Sequence, residues 1–133
     1  MSKFALDTNV LVFLFDEYAV EKQVLAGTLV DADPFISAQV VSEFLNVSKR
    51  LLKIPKLTLL KKCNEVFEKC TIVPTLQSTL NMAESIIEKY DLQLFDAIIL
   101  SAALQAGCTI LYSEDMHHGL VINDTLTITN PFI

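Results

Sequence analysis

Apolar and polar positions alternate along this chain in two rhythms. Residues 3–7 (KFALD) form a short apolar run that ends on a carboxylate, the pattern of a buried strand. Thr8 or Asn9 is placed to cap a helix after it, because their side-chain oxygens accept from free backbone N–H groups. Residues 18–30 read as a helix weakened by Gly27, and 34–37 as a second strand. Residues 38–53 carry apolar side chains at 41, 44, 45, 47, 51 and 52, a helical stripe, and 58–70 repeat it at 59, 60, 63, 66, 67 and 70. A third strand is predicted over 71–74 and an amphipathic helix over 78–90. Residues 95–108 differ, being apolar on nearly every side. They predict a buried central helix with Asp96 at its start and Gly107 as its stop. Strands follow at 109–115 and, more weakly, at 126–129. Prolines 34, 55, 74 and 131 each stand at the edge of a patterned segment.

The order of strands and helices predicts an α/β fold with a parallel sheet covered by helices on both faces. At 133 residues the chain is read as one domain. In such folds ligands bind beyond the carboxyl ends of the strands, and Asp7 is predicted to lie on that edge.

Composition adds three points. Apolar residues make up 52% and the mean hydropathy is +0.45, so some apolar surface is expected to meet a partner or a second copy. The longest apolar run, VLVFLF at 10–15, ends at Asp16-Glu17 and is far shorter than a membrane span; the start of the chain is a poor secretory signal. No membrane association is expected, and a cytoplasmic protein is. Cys63, Cys70 and Cys108 lack metal-type spacing and read as small apolar fillers in a reducing compartment, with Cys63 and Cys70 near one helix face. The net charge of −6 argues against bulk attraction to nucleic acid, yet Lys49, Arg50, Lys53, Lys56, Lys61 and Lys62 fall in a window with no acid. That positive edge on an acidic body can steer a polyanion locally, or be merely two solvated helix faces.

Four carboxylates stand apart from the rest. Asp7 ends the first strand, Glu43 lies early in the helix after the second, Asp96 opens the buried helix, and Asp115 closes the fourth strand. Taken singly, Asp96 reads as a helix cap, Glu43 as a solvated flank and Asp115 as a turn residue. Parallel topology sends all four to one edge, where clustered carboxylates repel unless a cation neutralises them. Hard oxygen ligands suit magnesium or manganese, and such an ion can activate water against a phosphodiester. No serine or cysteine nucleophile is evident, and the adjacent His117 and His118 read as loop residues.

LDTNVLV (6–12), VVSEFLNV (40–47), LFDAIILSAALQAGC (94–108) and ILYSEDMHHG (110–119) together resemble the PIN-domain proteins, and within them the VapC-type toxins of toxin–antitoxin pairs. The likeness spans the chain as one PIN domain, residues 1–133. It implies a three-layer α/β/α fold with a five-stranded parallel sheet and an endoribonuclease dependent on Mg2+ or Mn2+. By resemblance, Asp7, Asp96 and Asp115 bind metal directly or through water, and Glu43 completes the shell or orients the attacking water. Asn9 and Ser113 match the polar positions that support those acids, and Glu114 is expected to turn its side chain elsewhere. Lys49, Arg50 and Lys53, after Glu43, are candidates for gripping RNA phosphates. A homodimer and a cognate antitoxin partner are implied as well.

Two other readings remain open at this point. LDTN resembles the opening motif of haloacid-dehalogenase-type phosphatases, although Asn9 stands where that motif has its second acid. A non-catalytic PIN-like module whose acidic pocket receives a basic partner is the other.

Overall fold

The computed structural model describes residues 2–133. Its sheet is built from β1 (Phe4–Leu6), β2 (Phe35–Ser37), β3 (Thr71–Val73), β4 (Ile110–Tyr112), β5 (Val121–Ile122) and β6 (Leu126–Thr129). The strands lie in the order β3-β2-β1-β4-β6-β5. The first five in that order are mutually parallel; β5 pairs antiparallel with β6 at the edge. The sheet therefore has one strand more than the five expected. The extra strand rests on a tight hairpin whose Asn123 and Asp124 both sit at positive φ, a conformation Asn and Asp adopt more readily than other non-glycine residues. Thr125 N–H closes the turn on Ile122 C=O at 3.0 Å.

Among the described residues six α-helices connect the strands: α1 (Thr8–Val12), α2 (Val20–Val30), α3 (Ala38–Leu52), α4 (Lys56–Phe67), α5 (Gln77–Tyr90) and α6 (Leu94–Gln105), with a 3-10 turn at Phe13–Phe15 after α1. Helix α6 is buried continuously from Ala97 to Ala103, as its all-round apolar sequence requires. It ends with Cys108 N–H bonded to Ala103 C=O and with Gly107 at φ +82°, where a side chain would be strained. Leu6, Val10, Leu11, Ile36, Phe44 and Leu111 are among the fully buried core side chains between sheet and helices. Among the described residues no helix is long and apolar enough to cross a membrane.

Three local readings change. Asp7, not Thr8 or Asn9, caps α1, its Oδ1 accepting from Thr8 N–H at 2.7 Å. Asp96 is not a cap: Gln93 holds that position and Asp96 lies inside the first turn of α6. Helix α4 stops at Phe67, so Cys70 lies past it and shares no helix face with Cys63. All three cysteines are free, and burial pushes the Cys70 and Cys108 thiols up to about 11, as inert fillers require.

Candidate active site

Strand order reverses at β1: β2 and β3 lie on one side of it, β4 and β6 on the other. Such a switch point leaves a crevice beyond the strand ends. Asp7 follows β1 there, tied to β4 by its N–H to Tyr112 C=O at 3.0 Å. Ser113, wholly buried at the end of β4, donates its hydroxyl to Asp7 Oδ2 at 2.8 Å. Asn9 Nδ2 lies 3.1 Å from Asp7 Oδ2, 3.2 Å from Ser113 Oγ and 3.4 Å from Asp115 Oδ2, while its Oδ1 accepts from Glu114 N–H at 2.9 Å. One amide thus ties both strand ends together.

Glu43 comes from the second turn of α3, whose cap is Ser37, accepting from Val40 N–H at 3.1 Å. Both carboxylate oxygens of Glu43 are held by neutral donors: Thr8 Oγ1 at 2.8 Å and Gln39 Nε2 at 3.0 Å. Asp96 reaches the same place from α6. The result is a cavity of about 380 Å³ lined by Asp7, Glu43, Asp96, Asp115 and also Glu114, with Val12, Phe13 and Val47 as apolar wall.

Burial, opposed by the bonds from Ser113 and Thr8 and reinforced by Asp96 and Glu43, raises the Asp7 carboxyl to about 6. Asp96 is also raised, first by burial and then by Glu43 and Asp115. Burial and mutual repulsion thus both disfavour ionised carboxylates here, and a bound cation would offset both. Among the described residues no three His, Cys, Asp or Glu side chains converge closely enough to ligate one ion together. The all-oxygen donor set therefore fits a hard cation held by one or two carboxylates and otherwise by water, the habit of magnesium.

The four predicted acids and the supporting Asn9 and Ser113 all meet here. Glu114 departs from expectation: it lines the cavity and its carboxylate pairs with Lys22 of α2. Lys22 in turn lies over the rings of Phe13 and Phe132, 4.8 and 5.4 Å from their centroids. Lys22 carries no local sequence signal, since Glu114 and Phe132 are over ninety residues away. Gln39 was legible only as one turn before Glu43, the i, i+4 spacing that lets an amide reach a carboxylate. Lys49, Arg50 and Lys53 are exposed at the far end of α3, outside the cavity. His118 accepts at Nδ1 from Asn130 N–H at 2.9 Å, a loop contact, away from the acids.

The family model of the PIN domain matches residues 4–119. The chain belongs to the PIN domain family. No curated protein sequence matches it. Among solved structures, this PIN domain is similar to a toxin–antitoxin complex from Klebsiella pneumoniae, with TM-score 0.72 and 22% identity over 98% of each chain. It is also similar to VapBC2 from Rickettsia felis bound to a promoter DNA fragment, with TM-score 0.70 and 16% identity over 96% of this chain and 97% of that one. A third is VapC20 of Mycobacterium tuberculosis, described as a sarcin–ricin-loop-cleaving toxin, with TM-score 0.67 and 15% identity over 85% of this chain and 90% of that one. At these identities the likeness establishes the shared fold.

Proposed function

We propose that this PIN domain, spanning residues 1–133, is a metal-dependent endoribonuclease of the VapC type. One observation carries the reading: Asp7, Glu43, Asp96 and Asp115, from four separate parts of the chain, line one cavity at the switch point of the sheet. Asp7, Asp96 and Asp115 would hold Mg2+ or Mn2+, one or two of them directly and the rest through water. Such an ion, when bound, supplies charge stabilisation at phosphorus and a more acidic water. Glu43, held at both oxygens by Thr8 and Gln39, would complete the shell or orient the attacking water. Ser113 keeps Asp7 in place and, being wholly buried, is not itself a nucleophile; water is the nucleophile in this reading.

A water nucleophile makes no demand on the 2′-hydroxyl, so preference for RNA rests on shape and unpaired bases. Lys49, Arg50 and Lys53 would hold flanking phosphates. The toxin–antitoxin pairing of the similar structures supports a cognate antitoxin here, and exposed Tyr18, Val20, Val24, Leu76 and Leu80 offer apolar surface for it or for a homodimer. A toxin of this kind works in the cytoplasm.

The test is incubation of purified protein with mixed RNA, with EDTA and then with manganese added back. Cleavage should need the metal and vanish in Asp7→Asn and Asp96→Asn. Equal cutting by both variants would assign the activity to a contaminant and remove the proposal.

A further inference from the structure

A second hollow, of about 550 Å³, adjoins the acidic cavity, and Glu43 lines both. Its floor is one face of α3. Gln39, Ser42, Asn46 and Lys49 follow at the helical spacing that also places Glu43 there, and buried Leu59 of α4 forms a wall. The lining therefore offers two primary amides, a hydroxyl and an ammonium around the apolar Leu45 and Leu59, with the Glu43 carboxylate at the border with the acidic cavity. Amides carry a donor and an acceptor side by side, matching the edges of nucleobases, and an ammonium suits a phosphate. Gln39 uses its Nε2 on Glu43, which leaves its carbonyl oxygen for a ligand. Protein interfaces, by contrast, are depleted in Lys and Ser.

We propose that this hollow holds the unpaired nucleotide beside the scissile phosphate, with Gln39 and Asn46 reading its base and Lys49 holding its phosphate. The assignment rests on the nuclease reading above and adds to it a residue-level source of base preference. Because Gln39 touches both the nucleotide site and Glu43, a matched base also steadies the residue that orients water.

Fluorescently labelled hexamers of A, C and U measure this by anisotropy in EDTA, so that binding is read without cleavage. The wild type should bind the three unequally. Asn46→Ala and Gln39→Ala should each shrink the ratio of best to worst about two- to ten-fold, the value of a lost hydrogen bond. Lys49→Ala should weaken all three alike and lower the salt slope by about 0.7. Ser42 and Asn46 are exposed, and a matched thermal melt shows that the variants fold. If the wild type cuts RNA but Asn46→Ala and Gln39→Ala leave both the binding ratio and the cleavage positions unchanged, this assignment falls and the nuclease stands. Absence of both RNA binding and cutting in the wild type removes the nuclease reading as well. A sedimentation shift to a smaller species in Asn46→Arg, with RNA binding unchanged, makes the face a contact between copies and also overturns the proposal.

Discussion

Replacing Asp7 by asparagine should make the metal-free protein more stable, although it removes a group at the centre of the site. Asp7 is 5% exposed and its carboxyl is raised from an ordinary 3.8 to about 6. Holding it ionised in the folded state therefore costs roughly 3 kcal/mol above neutral pH. Asparagine is as good a helix cap and keeps the oxygen that accepts from Thr8 N–H. The new amide nitrogen would face the Ser113 hydroxyl, whose two lone pairs already accept from Asn9 Nδ2 and Met116 N–H, and Asn9 Nδ2, which cannot accept; the two lost bonds cost about 2 kcal/mol. The net gain is about 1 kcal/mol, or roughly 3–5 °C in Tm. The sign has a pH signature. Between about 4 and 6 the folded wild type binds more protons at Asp7 than the unfolded chain, so its stability falls as pH rises through that window and then levels. The Asp7→Asn variant has no such slope, so the two curves should converge as pH falls. Urea unfolding in EDTA from pH 4.5 to 8 measures the gap, and manganese should reverse the order by stabilising only the wild type. A variant less stable than wild type at pH 8, with the same deficit at pH 4.5, would make Asp7 a structural cap and overturn the expectation.

Glu43→Gln should abolish RNA cleavage with little change in Tm, since one amide group replaces an oxygen that Thr8 or Gln39 now serves; retained cleavage would take Glu43 out of the chemistry. Lys22→Ala removes the partner of Glu114 and the cation over the Phe13 and Phe132 rings, and should lower stability by about 1 kcal/mol in denaturant unfolding. Ser48 is buried with only the Cys63 thiol, a weak partner, beside its hydroxyl, so Ser48→Ala should raise stability by about 1 kcal/mol; a loss would reveal a bond of real worth.

Residues that act through period and junction were legible in the sequence. The strand–helix alternation marked the parallel sheet, and the unbroken apolar run over α6 marked its buried helix, because burial on all sides leaves no polar stripe. Asp7 was conspicuous as a carboxylate ending an apolar run. Its role as its own helix cap was not, since Thr8 and Asn9 compete for that position in any local reading. Strand β5 escaped because two residues carry no periodicity; the Asn123-Asp124 pair before LTIT was the one available signal of a hairpin. Glu114 lines the cavity although its neighbour Asp115 does too, because β4 ends at Tyr112 and the chain beyond it no longer alternates as a strand. Lys22 and the hollow beside Glu43 depend on tertiary approach alone, and no spacing along the chain encodes that.

The proposed chemistry requires a divalent cation in the cavity lined by the four carboxylates, ligated directly by one or two of them and otherwise by water. Anomalous diffraction from crystals soaked in manganese measures this directly. A single strong peak within the cavity, ligated by Asp7 or Asp96 and by waters and lost in Asp96→Asn, is the predicted result. An empty cavity at manganese concentrations that support RNA cleavage would contradict it.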